Sequence, residues 1–137
     1  MKEETDAARE TRDGVPTQGQ VEAAVTTALT QFERDYLGRG PRDARTFIIG
    51  DLVLVRLRGI LSPAEQQVAQ QPGGVELIKQ MRSRLVESSS EALSQLVEQA
   101  TGARVVTMHT DISSRTGERV FVFGLDRNLQ DALARGG

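Results

Sequence analysis

Two residues, Gly50-Asp51, separate the strand-like runs Arg45–Ile49 and Leu52–Arg58. A connection that short forces the chain to double back as an antiparallel hairpin, because parallel neighbours need a crossover of a dozen residues or more. Glycine at the first loop position is the signature of a type II′ turn. In the second run Val53, Val55 and Leu57 point one way, and Leu52, Leu54, Arg56 and Arg58 the other. The first set is the better core face. The second is apolar at one end and cationic at the other.

A second hairpin is expected near the C-terminus. Ala103–Ser113 reads as a strand with Val106, Met108 and Ile112 on one face and Val105, Thr107, His109 and Asp111 on the other. Ser114-Arg115-Thr116-Gly117 is a turn, and Glu118–Leu125 alternates Phe121, Phe123 and Leu125 against Val120 and Val122.

Helices fill the rest. From Gln20 to Leu37, Val21, Ala24, Val25, Ala28, Leu29, Phe32 and Tyr36 recur at the spacing of one helical face, and Gly38 follows as a C-terminal cap. Ser62-Pro63-Ala64-Glu65 is a complete helix start, with a capping serine, proline at the first turn and glutamate to close the box. That helix is short, because Gln71-Pro72-Gly73-Gly74 breaks it. A long helix runs from Val75 to about Ala100, with a stripe of Ile78, Met81, Leu85, Ala92, Leu93, Leu96, Val97 and Ala100. Ser88-Ser89-Ser90 weakens its middle and marks a close contact. Arg127–Ala134 adds a last short helix.

The order α-β-β-α-α-β-β predicts an α+β fold: a largely antiparallel four-stranded sheet with helices packed on one face. At 137 residues the chain is one domain, residues 19–137, behind a tail, residues 1–18. The stretch Met1–Thr17 has almost no large apolar side chain before Val15 and is expected to be disordered or loosely ordered. It holds three of the 17 basic and five of the 19 acidic residues, so it carries the whole net charge of -2 and leaves the body neutral.

A neutral body exerts no long-range pull on a polyanion, and aromatics at 4% supply few stacking platforms, so no nucleic-acid partner is expected. With no cysteine and one histidine, disulfides, thiolate sites and multi-histidine metal centres are excluded; no cofactor or metal is assigned. No apolar run approaches the ~20 residues of a membrane span. The long helix mixes Glu76, Glu87, Glu91 and Glu98 with Lys79, Arg82 and Arg84, without the one-sided basic face that membrane surfaces select. Direct membrane insertion is therefore not expected. The first residues are charged throughout, so no signal peptide is read and a cytoplasmic location is expected.

Three groups of residues are candidates for function. Arg39, Gly40, Arg42 and Arg45 form a glycine-bearing basic loop that could cradle an anion, although it lacks the phosphate-loop pattern. Arg56 and Arg58 are candidates on the second sheet face, the one that also carries His109 and Asp111. His109 and Asp111 share a strand face, where a carboxylate could orient an imidazole for proton transfer. With Asp51 or Glu118 they could also begin a metal site, and the plainer alternative is a polar pair tying strands together. No catalytic residue is assigned, and a small enzyme ranks last among the readings. Leu52, Leu54, Val105 and Thr107 give the second sheet face a half-apolar surface of the kind that meets a partner, and a homodimer is expected.

The motifs in order are Gly38-x-Gly40-Pro41; Ile48-x-x-Asp51-x-Val53-x-Val55-x-Leu57-x-Gly59-x-Leu61-Ser62-Pro63-Ala64-Glu65; Thr101-Gly102-x-x-Val105; His109-x-Asp111-Ile112-Ser113; and Thr116-Gly117-Glu118-Arg119. Together they resemble the bacterial MpsC-like family, which includes YbcI-type proteins and takes its name from a proposed Na+-translocating membrane-potential-generating system. The resemblance spans roughly Gln20 to Arg127. It implies an accessory role beside a membrane cation or inorganic-carbon transport system, and it brings no catalytic residues with it. The alternative from the residues themselves is a sensor of a small anion or metabolite.

Overall fold

The structure, a computed structural model, describes residues 14–113 and 115–136. The tail expected over 1–18 falls mostly outside them. Helix α1 spans Gln18–Leu37 and starts two residues before the predicted Gln20. Thr17 explains the earlier start: its side chain accepts from the Gln20 backbone N–H, and the Gln20 side chain reaches back to the Thr17 N–H. Gly38 closes the helix in the left-handed region, at φ 88°. Val21, Val25, Leu29 and Phe32 are buried, as the periodicity predicts, but Ala24 and Tyr36 face outward.

Strands β1, Asp43–Ile49, and β2, Leu52–Arg58, form the first hairpin. Ile49 pairs directly with Leu52, so the loop is two residues long, and Gly50 takes the positive φ of 61° that this turn needs. Helix α2, Pro63–Ala69, begins with the capping box read from Ser62 and Glu65.

The long helix expected from Val75 to Ala100 is two helices, α3, Gly74–Ser88, and α4, Ser90–Thr101. The serine run is where it breaks. Ser89 adopts φ -111°, ψ 9°, and the Ser88 hydroxyl donates to the Leu85 carbonyl, competing with the helix ladder. The break also moves the buried stripe. It reads Ile78, Arg82, Val86 in α3 and Leu93, Val97 in α4, while Met81 and Ala92 lie outside it.

Strands β3, Val105–Ser113, and β4, Glu118–Leu125, form the second hairpin, and α5, Leu129–Ala134, follows. The four strands pair antiparallel in the order β1-β2-β4-β3, an α+β fold as predicted. One sheet face carries Val53, Val55, Leu57, Phe121 and Phe123, all fully buried, and packs against Val25, Leu29, Leu93 and Val97 of the helices.

One register detail corrects the sequence reading. Val105 pairs with Leu125, but Thr107 pairs with Gly124, so Val106 is an extra residue in a β-bulge. Two residues opposite one invert the alternation on one side of the bulge. Val105 therefore turns to the core beside Leu125, and Val106, 65% exposed, points out. Val105 does not belong to the open face on which it was expected.

Candidate functional site

The sheet face away from the core helices is built from four rows that the strand register aligns. Ile49, Leu52, Gly124 and Thr107 form one end. Phe47, Leu54, Val122 and His109 follow, then Arg45, Arg56, Val120 and Asp111. Asp43, Arg58, Glu118 and Ser113 complete the other end. The predicted polarity is present: two rows are largely apolar and two are charged. Phe47, Ile49 and Leu52 are 40%, 53% and 39% exposed and lie together at the apolar end of this face.

The predicted site residues divide between separate places. His109 and Asp111 do share this face and are both exposed. They do not form a dyad among the described residues: Asp111 Oδ1 accepts from the Ile112 backbone N–H at 2.8 Å. Asp51 and Glu118 do not join them; no group of metal-ligating side chains occurs among the described residues. Arg56 Nε pairs with Glu118, and Arg58 Nε lies 3.7 Å from the same carboxylate oxygen.

The basic loop does not converge. Arg39 turns its guanidinium to the Leu61 and Gly59 carbonyls, at 3.3 and 3.4 Å. Arg45 stands on the open sheet face. Arg42 lies along Gly59, and Gly40 packs against the Arg34 side chain. The three arginines follow different backbone directions, which their spacing did not reveal.

A second cluster of charge lies on the core side. Arg82, 1% exposed, grips Glu65 with two hydrogen bonds, Nε to Oε2 at 2.9 Å and Nη2 to Oε1 at 2.8 Å. Its Nη2 also donates to the Ile60 carbonyl, and its Nη1 lies 3.7 Å from the carboxylate of buried Glu33. Arg119, also buried, donates to the Thr110 hydroxyl at 2.7 Å and sits over the Phe121 ring. Both Glu33 oxygens, Arg82 Nη1 and Arg119 Nε have no hydrogen-bond partner among the described residues. Charges from α1, α2, α3 and β4 thus meet in one buried place.

Burial pushes the Glu33 carboxyl above its ordinary value, with Arg82 and Arg119 only partly opposing. Burial also pushes Glu65 up, but bonds from Arg82 and Ser62 outweigh it and hold Glu65 below. Burial lowers Arg119, and Glu33 partly restores it. The folded chain therefore holds the Glu33 proton more tightly than the unfolded chain does. That contribution is complete below the ordinary value of 4.5 and is lost as pH rises through the folded value. The melting temperature of Glu33→Gln, relative to the parent, is expected to rise as pH increases from 4.5. Calorimetry over that range checks it, and a flat or falling difference contradicts it.

Compared with known proteins, residues 17–127 match the family described as Na+-translocating membrane potential-generating system (MpsC). The chain belongs to the MpsC family. It is 46% identical over 117 residues to the uncharacterized protein YbcI of Bacillus subtilis (strain 168), covering 85% of this chain and 94% of YbcI. It is 27% identical over 104 residues to the uncharacterized protein YrhF of the same organism, covering 75% of this chain and 85% of YrhF. No solved structure matches it.

In this chain the residues that carry the resemblance serve both faces. Glu65 caps α2 and holds Arg82 on the core side, where Arg119 also lies. Glu118 and His109 sit on the open side. Among the described residues no helix is long and apolar enough to cross a membrane.

Proposed function

We propose that this chain is a non-catalytic accessory protein that acts as a homodimer, from the cytoplasm, beside a membrane-embedded partner that carries the ion. The family description supports the link to a Na+-dependent membrane potential. The observation that carries the dimer is the self-complementarity of the open sheet face.

A two-fold axis parallel to the strands, between β2 and β4, sets β1 of one copy over β3 of the other. Arg45 then faces the partner's Asp111, and Phe47 the partner's His109. Leu54 meets Val122, Arg58 meets Glu118, and Leu52 comes over Gly124, where the neighbouring Thr107 side chain lies. Aligned sheets pack this way at about -30°. Four strands and four rows span roughly 19 by 27 Å. That is about 500 Å² of flat area a side, enough to reach the ~1,000 Å² total of a biological interface.

Size-exclusion chromatography with light scattering at tens of micromolar is expected to give twice the 15.0 kDa chain mass. Leu54→Lys is expected to give a folded monomer. Asp111→Arg is expected to weaken the dimer, and adding Arg45→Asp to the same chain to restore it. A monomeric parent protein, or no rescue by the charge swap, removes the dimer. In cells lacking the gene, a potential-sensitive dye is expected to report a smaller Na+-dependent membrane potential, restored by the parent chain and not by Leu54→Lys. An unchanged potential removes the transport role.

A further inference from the structure

At the end of the sheet where β2 leaves and the β3–β4 turn folds over, a cleft of about 570 Å³ opens toward α2 and the start of α3. Its size falls within the range of small-molecule sites, roughly 300–1,000 Å³. Arg42 and Arg115 line it, together with Gln66, Gln70 and Thr116. Among the described residues that line it, none is acidic.

This end of the molecule concentrates arginine, and most of it is already engaged. Arg39 is spent on backbone carbonyls, and Arg56 and Arg58 share Glu118. Arg42 and Arg115 differ: neither guanidinium has a carboxylate or hydrogen-bond partner among the described residues. Two cations that line one cleft and have no counter-charge of their own leave it open to an anion that both can hold.

The backbone also shapes the cleft. A Cβ at Gly59 would lie 2.9 to 3.1 Å from the Cδ, Cβ and Cγ of Arg42, so glycine lets the Arg42 stem lie flat across the strand end. The floor is apolar, with Leu61, Ala69 and Val75. Guanidinium groups, amides and a hydroxyl around an apolar floor suit a ligand with a multi-oxygen anionic head and an uncharged body.

We propose that this cleft binds a small organophosphate, its phosphoryl oxygens held by Arg42 and Arg115 and its organic part resting on Leu61, Ala69 and Val75. The site is separate from the dimer face, so either reading survives failure of the other.

The test is isothermal calorimetry on the full chain with ADP, glucose 6-phosphate and inorganic phosphate as probes, at fixed ionic strength. At least one organic phosphate is expected to bind more tightly than inorganic phosphate. Arg42→Gln and Arg115→Gln, both at exposed positions and thus expected to fold, should each weaken binding by about tenfold or more. Arg127→Gln, remote from the cleft, should leave it unchanged. Absence of binding by all three probes at millimolar concentration overturns the proposal. So does binding that neither cleft substitution affects, or sedimentation with phosphatidylglycerol vesicles without any response to the soluble probes.

Discussion

Arg82→Ala is expected to destabilise the protein by about 3–5 kcal/mol, the cost of removing one member of a buried ion pair. Arg82 is 1% exposed and is the common partner of Glu65, Glu33 and the Ile60 carbonyl. Its loss leaves Glu33 with two carboxylate oxygens in the core and only Arg119 near enough to compensate. It also releases Glu65, which closes the cap of α2. The melting temperature should fall by on the order of 10–20 °C. Urea unfolding followed by circular dichroism measures the change, and a loss below about 1 kcal/mol would refute the account. The quadruple change Arg82→Met, Arg119→Met, Glu33→Gln, Glu65→Gln is expected to recover most of the stability. It removes the charges together, and glutamine can still serve the capping box. Recovery would show that the cost lies in stranded charge rather than in lost packing.

Gly74→Ala is the second large effect, and its sign is opposite to the ordinary one. Replacing a helical glycine by alanine usually stabilises by roughly 0.5–1 kcal/mol. Gly74 opens α3, where the chain has just turned back from α2 through Pro72 and Gly73. A Cβ there would fall onto the carbonyl oxygen of Val68, inside van der Waals contact, with the Ala69 nitrogen 3.3 Å away. Both obstacles are backbone, so no side chain can swing aside. The α2–α3 junction must shift, and the loss should exceed the 1–3 kcal/mol typical of overpacking. Gly19→Ala in α1 is the control, because nothing lies within 4 Å of its added methyl group. It should be neutral or slightly stabilising. Equal stabilities for the two variants in chemical denaturation would contradict the packing described for Gly74.

Much of the architecture was legible in residue order. The Gly50-Asp51 turn, the Ser62–Glu65 capping box and the period-two patterns of β2 and β4 each have a local cause. Three features were not read, two of them although part of their signal was present. Arg82 lies four residues from both Ile78 and Val86, on the stripe that α3 buries, and Arg119 lies two residues before Phe121 on the core face of β4. Their charge made them look like surface positions. The serine run signalled the helix break without saying which residues would change face. The bulge at Val106 had no local signal, because its cause is the pairing of β3 with Gly124 and Leu125 across the sheet.

The candidate sites show the same division. The open face was read correctly for Leu52, Leu54, Thr107, His109 and Asp111, since alternation along a strand is local. The arginine loop was not: Arg39, Arg42 and Arg45 are near in sequence, yet each points to a different place. The cleft joins Arg42 to Arg115 and Gln70, which only the packing of β2, α2 and the β3–β4 turn brings together.

What the sequence by itself determined is the α+β class, both hairpins, the helix caps and the polarity of the exposed sheet. Each follows from contacts a few residues long. The tertiary structure alone decided the strand order β1-β2-β4-β3, the burial of Arg82 and Arg119, the inward turn of Val105 and the presence of Arg42 and Arg115 in one cleft. Those depend on distant segments, and local propensity carries no information about which distant segment a side chain will meet.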